Sequence, residues 1–233
     1  MNVIITGASR GLGKAIAEKF AGAGDRLFLS SRQESALNKT INALSAQFPN
    51  SSVSGKAFDL SVSDQARQFG RWVLDAGFIP DILVNNAGSF QPGSVYDEAD
   101  GVLEELMAIN LYGAYHLTRT LLPAMMKEKK GHIFNICSIA SLQAYPNGGA
   151  YSITKFALAG FSRNLREEMK RYGIKVTAIF PGAAFTDSWA GSGIDPGRIM
   201  ESADVAAMLF AASRLSPQAT VEDIVLRPQL GDL

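Results

Sequence analysis

Short apolar runs alternate with longer helical patterns along this 233-residue chain, and that alternation limits its fold more than any other feature. The runs Val3–Ile5, Leu27–Ser30, Val53–Phe58, Ile82–Val84, His132–Ile136, Val176–Phe180 and Val221–Leu226 are mostly β-branched or aromatic and are bounded by turn residues. Helical periodicity lies between them, over Leu12–Ala23, Ser35–Phe48, Asp64–Ala76, Glu98–Lys129, Ala150–Tyr172 and Ala203–Ser213. This order predicts an α/β fold, a doubly wound parallel sheet of about seven strands with helices on both faces. No linker, charge block or repeat interrupts the pattern, so one domain over residues 1–233 is expected. Two helices are apolar over more than one stripe, the first around Leu106, Tyr112, Tyr115 and Leu121, the second around Ile153, Phe156, Leu158 and Leu165. They read equally as deep core and as a homodimer or homotetramer interface.

Bulk properties remove several function classes. Lys+Arg and Asp+Glu both number 22, so the zero net charge gives no reason to expect nucleic acid or an anionic membrane. The single Cys137 forms no internal disulfide and reads as a small core residue. The chain enters an apolar run at once, so no signal peptide is expected, and no segment approaches the ~20 apolar residues of a membrane span. A soluble, cytoplasmic protein is the expectation. His116 and His132 lack companions at metal-ligand spacing, so no metal is expected, and the absence of G-x-S-x-G argues against a serine hydrolase.

The first turn carries Thr6-Gly7-Ala8-Ser9-Arg10-Gly11-Leu12-Gly13, after a strand and before a helix. Free amide N–H groups and the helix dipole at such a junction attract a phosphate, and glycine lets the backbone approach it. The second strand ends Ser30-Ser31-Arg32 with no acid to bind ribose hydroxyls. A guanidinium can grip a 2′-phosphate that a carboxylate would repel, so Arg32, with Arg10 opposite, points to NADP(H) over NAD(H).

Tyr151 and Lys155 stand four residues apart on one helical face, with Ser138 thirteen residues before the tyrosine. An ammonium beside a phenol favours the phenolate and would bring its pKa toward neutral, and a nearby hydroxyl can hold the oxygen that receives the proton.

Further short motifs fall in order: Asp59-Leu60, Asn85-Asn86-Ala87-Gly88, Asn110, then Pro181-Gly182 with Thr186. Taken singly they have plainer readings, Asp59 or Ser61 as a helix N-cap, Asn85 and Asn86 as turn residues, Asn110 as a solvated polar side chain. Together, with the glycine turn and the Ser138–Tyr151–Lys155 trio, they resemble the short-chain dehydrogenase/reductase family from Asn2 to about Thr186. The resemblance implies a Rossmann fold and a catalytic tetrad of Asn110, Ser138, Tyr151 and Lys155. It implies that Thr6, Gly7, Gly11, Leu12 and Gly13 shape the pyrophosphate turn, and that Ser9, Arg10, Ser31 and Arg32 read the adenosine ribose. Asp59 and Leu60 would border adenine; Asn86, Ala87 and Gly88 would line the central path; Pro181, Gly182 and Thr186 would hold the nicotinamide end. Asn110, by backbone or side chain, would hold a water that links Lys155 to solvent. The sequence ending, Ile224 to Leu233, lacks the glycine-rich stretch of ketoacyl reductases and looks more like bacterial sepiapterin-reductase-like members.

The reading is an NADPH-dependent carbonyl reductase with an alcohol product. Ile139, Leu142, Gln143, Tyr145, Phe185 and Trp189 form the expected substrate pocket, mostly apolar with Gln143 as a polar handle. An NAD-dependent alcohol or sugar dehydrogenase and a non-catalytic NADPH-binding sensor on the same fold are the alternatives.

Overall fold

The computed structural model of the chain describes residues 1–186 and 193–232. The first half runs β1 (Asn2–Thr6), α1 (Gly11–Gly22), β2 (Arg26–Ser31), α2 (Glu34–Gln47), β3 (Val53–Ala57), α3 (Ser63–Asp75) and β4 (Ile82–Asn85). Then follow α4 (Val102–Met107), α5 (Gly113–Glu128), β5 (Gly131–Ile136), α6 (Gly149–Met169) and β6 (Ile174–Pro181). The last elements are β7 (Ala184–Phe185), β8 (Met200–Glu201), α7 (Ser202–Ser213) and β9 (Asp223–Leu226).

Seven strands form one sheet in the order β3-β2-β1-β4-β5-β6-β9, and every neighbouring pair is parallel. Each strand expected from the sequence is present, so the doubly wound reading stands; the small β7–β8 pair was not expected. Alternate residues of a strand face opposite sides, which divides the core in two. Val3 and Ile5 of β1 pack with α1, α2 and α7 through Ile16, Phe20, Leu37, Leu44 and Leu209. Ile4 packs on the other side with α3, α5 and α6 through Phe69, Val73, Leu117, Leu121 and Leu165. Full burial of such a side chain contributes roughly 1.5–3 kcal/mol. Strand order reverses between β1 and β4, and there the crossovers leave to opposite faces and open a crevice at the strands' C-terminal ends.

The long helix expected over Glu98–Lys129 is shorter and broken. Gly101, at φ 93, turns the chain in a left-handed conformation that delays the start to Val102, leaving Glu98 in the preceding loop. One wider π turn, Ala108–Tyr112, separates α4 from α5. Such bulges concentrate at functional sites, and this one holds Asn110. The helix expected over Ala150–Tyr172 is α6 followed by a 3₁₀ turn at Lys170–Tyr172, ended by left-handed Gly173. The two broadly apolar helices divide between core and surface. Leu106, Leu117, Leu121, Leu158 and Leu165 are core, whereas Leu103, Tyr112, Tyr115, Ile153 and Phe156 are exposed.

His132 on β5 has a pH consequence. Its ring stacks on Phe134 at 3.9 Å, and its Nε2 meets the Thr177 hydroxyl at 2.7 Å. Thr177 donates its own hydrogen to the Val221 carbonyl, so Nε2 is the donor toward Thr177. Burial, and secondarily the Lys175 charge, push its pKa down from 6.5 to about 3. A depressed histidine pKa gives stability that is complete above the unfolded value and is lost as pH falls below it. Between pH 7 and pH 5 the loss is about 2 kcal/mol. Urea unfolding at both pH values is expected to show this excess loss in the wild type relative to His132→Gln; equal losses would remove His132 as the cause.

Candidate active site

The glycine turn between β1 and α1 leaves no room for side chains. Gly7 and Gly11 adopt φ of 64 and 53, and a Cβ on Gly13 would lie 2.3 Å from the Gly7 carbonyl oxygen and 2.5 Å from Asn86 Nδ2. Arg10 occupies the N-cap of α1 without a side-chain cap bond, and the first helical turn contains no acid, so the amide groups and positive helix end stay unneutralised. Leu12 anchors this turn in the core, and Thr186 packs on Gly11 with its Cβ 3.2 Å from a Cβ placed there.

Neighbouring elements hold the turn. The Thr6 hydroxyl accepts from the Asn86 and Ala87 amides, both at 2.9 Å, and the Asn86 side chain donates to the Thr6 and Gly7 carbonyls. Thr40 of α2 donates to the Ser9 carbonyl at 2.9 Å. This cradle of close backbone and forward-facing amides fits a dinucleotide diphosphate. At the rim, Ser31 Oγ donates to the Gln33 carbonyl, and Arg10 and Arg32 are exposed with no ion pair among the described residues. Asp59 does not cap α3, whose N-cap is Val62; its carboxylate folds back onto the Ser61 amide and hydroxyl. Leu60 is buried and packs beneath Gly113. Gly182 faces Pro228 and Asp232 of the C-terminal segment.

Ser138, Tyr151 and Lys155 converge beyond the end of β5. Ser138 opens a 3₁₀ turn, Ile139–Ser141, through a capping box with Ser141. Ser152 on α6 donates to the Ala140 carbonyl at 2.9 Å, joining that turn to the helix of Tyr151. Lys155 is only 6% exposed, its Nζ donates to the Ile136 carbonyl at 2.8 Å, and it lies 5.8 Å from the Tyr151 ring centroid. A Cβ on Gly88 would stand 3.7 Å from that ammonium.

Charge states differ from the sequence expectation. Burial raises the Tyr151 pKa, and the Ser138 hydrogen bond opposes it. Burial also lowers Lys155 to about 8. The lysine commits a hydrogen bond to the backbone, so desolvation outweighs its field at the phenol.

Asn110 is buried and committed. Its Nδ2 donates to the Ser89 carbonyl and the Thr154 hydroxyl, and its Oδ1 accepts from the Ser89 amide. It therefore clamps the loop after β4 to α6 and is not the solvated side chain of the plainer reading. Asn85 is likewise no turn residue; it ends β4 and donates to Thr118 and Asn135.

Of the expected pocket, Ile139 is half-buried, and Leu142, Gln143, Tyr145 and Phe185 are exposed; Trp189 lies outside the described residues. Four participants escaped the sequence reading. Both Glu98 carboxylate oxygens accept from the Ala150 amide, at 2.9 and 3.1 Å, and so cap α6 from a loop 52 residues away. Thr154 and Ser152 hold α6 to its neighbours. Phe90 meets the Tyr151 ring edge-on, with centroids 4.8 Å apart. Only the Ser138–Ser141 capping box had a local signal.

A glycine cradle and a half-buried tyrosine beside a buried lysine, on one edge of a doubly wound sheet, suit an oxidoreductase architecture. The profile of short chain dehydrogenases matches residues 1–195, and the chain belongs to that family. Sepiapterin reductase of Chlorobaculum tepidum is 30% identical over 239 residues, covering 99% of this chain and 97% of that protein. A metagenomic short-chain oxidoreductase in complex with NADP superposes with a TM-score of 0.85 at 31% identity, over 98% and 97% of the two chains. L-sorbose reductase of Gluconobacter frateurii, complexed with NADPH and L-sorbose, gives 0.88 at 27% identity, over 96% and 94%.

Proposed function

We propose that the protein reduces a carbonyl compound to an alcohol with NADPH. The observation that carries this is the convergence of Ser138, Tyr151 and Lys155 at the sheet edge that also bears the glycine cradle. NADPH, when bound, supplies two electrons and one hydrogen to the carbonyl carbon. Thr6, Gly7, Gly11 and Gly13 form its diphosphate cradle, and Thr186, Pro181 and Gly182 flank its far end. Tyr151 gives the proton to the carbonyl oxygen, so C=O becomes CH–OH. A phenol whose pKa is raised stays protonated at neutral pH, the state a reductase requires before turnover. Ser138 holds the same oxygen and supports the phenolate left behind. Lys155, with a pKa of about 8, remains charged at neutral pH and favours that phenolate. Because both Asn110 side-chain N–H groups are used by protein partners, its water-relay role falls to the backbone.

The uncommitted Arg10 and Arg32 support NADPH over NADH, since two cations at the adenosine end suit a 2′-phosphate. The same residues disfavour the NAD-dependent alcohol or sugar dehydrogenase. A non-catalytic sensor would have no need of the buried lysine, which is costly to desolvate. The exposed Tyr112, Tyr115, Ile153 and Phe156 suit a homodimer or homotetramer joined through α5 and α6.

Tyr151→Phe is expected to lower kcat at least a thousand-fold while NADPH affinity, read by fluorescence titration, stays within about two-fold; retained turnover would refute the assignment. Arg32→Asp is expected to weaken NADPH at least ten-fold and to leave NADH affinity unchanged or improved, as read by the two KM values. Sedimentation at micromolar concentration should show a dimer or tetramer, and a monomer would contradict the interface.

A further inference from the structure

The loop after β4 sends Phe90 back against Tyr151. The two rings meet at 90° with centroids 4.8 Å apart, yet Phe90 remains 56% exposed. It is therefore not a core residue that the tyrosine happens to touch; part of it meets the phenol ring and more than half of its surface stays open. Tyr145 is a second aromatic residue near the same group. Its ring carbon Cε1 lies 3.1 Å from a Cβ placed on Gly148, so it rests on the start of α6, and it is 41% exposed. Tyr145 is near enough to Tyr151 for the two phenols to influence each other's ionisation. Two aromatic side chains thus stand near the proton donor, both with open surface.

The charge around them is as informative. The cation beside Tyr151 is Lys155, whose ammonium lies 5.8 Å from the ring centroid. It is buried and commits a hydrogen bond to the Ile136 carbonyl. Glu98, the nearest acid from the adjoining loop, is tied to the Ala150 amide. A substrate carboxylate or phosphate beside the reacting carbonyl would find that cation buried and engaged by the backbone, and desolvating a poorly paired anion is expensive. A flat ring would find aromatic edges and faces, which favour offset or edge-on stacking.

We infer that Phe90 and Tyr145 form an aromatic clamp beside Tyr151 that selects uncharged carbonyl compounds carrying an aryl ring next to the C=O. This rests on the carbonyl-reduction reading above. In the clamped pose the ring stacks on Phe90, and the carbonyl oxygen lies at the Tyr151 and Ser138 hydroxyls. The reaction balance is the one already given, with NADPH supplying two electrons and a hydrogen to carbon and Tyr151 the proton to oxygen.

A matched pair of α-ketoesters, ethyl benzoylformate and ethyl pyruvate, differs by phenyl against methyl. With NADPH, the wild type is expected to prefer the phenyl ester at least ten-fold in kcat/KM, and to prefer it at least ten-fold over the benzoylformate anion. Phe90→Ala is expected to reduce the phenyl-over-methyl ratio about ten-fold, mainly through KM, and Phe90→Leu, which keeps apolar bulk without a ring, to reduce it by a smaller factor. Equal use of the two esters by the wild type, or an unchanged ratio in Phe90→Ala with folding confirmed by circular dichroism, overturns the clamp. If neither ester is reduced, the carbonyl-reduction reading fails, and calorimetric binding of the same esters to the NADPH-loaded protein decides the clamp separately. Tighter binding of the phenyl ester that is lost in Phe90→Ala then upholds it, and equal or absent binding overturns it.

Discussion

The hydrogen bond from Lys155 to the Ile136 carbonyl sets the geometry on which the rest of this edge depends. An ammonium that is only 6% exposed has given up its water and must be repaid by fixed acceptors. That requirement pins α6 in one register over the end of β5. In that register Ser152 reaches Ala140, and Tyr151 falls beside Ser138. The opposite end of the site is fixed by a similar constraint. Thr6 and Asn86 share backbone groups across β1 and β4, so the glycine turn cannot shift relative to the loop that carries Phe90. Between the two, the buried side chains of Thr118, Asn85, Asn135 and Ser162 run as a continuous hydrogen-bonded row across the sheet's end.

Much of this was legible because its causes are local. Strand–helix alternation depends on residue type and spacing, and it gave every strand of the main sheet. Gly7, Gly11 and Gly13 are dictated by backbone conformation and close approach, constraints that a sequence displays directly. Tyr151 and Lys155 share a helical face by simple periodicity.

What remained hidden acts across distance or through burial. Glu98 reads as the start of a helix, because its role depends on where Gly101 breaks the pattern and on a partner 52 residues later. The π turn at Asn110 has no compositional mark, and it changed a candidate water-binding side chain into a clamp between two elements. The direction of the Tyr151 pKa could not be read from the lysine four residues on, since proximity in sequence says nothing about desolvation or about where an ammonium spends its hydrogen bonds. Phe90 looked like any loop residue until the fold returned it to Tyr151.

The cap on α6 also gives the sheet edge a polarity. Helices α1 and α6 both begin beyond the C-terminal ends of the strands. At α6 the carboxylate of Glu98 already sits on the Ala150 amide of the first turn. At α1 there is no acid and no side-chain cap, and Arg10 adds to the positive end. An extended ligand with an anionic middle therefore meets attraction at one helix start and repulsion at the other. A single glutamate in an unremarkable loop thus closes one helix start to an anion, while the other stays open to it.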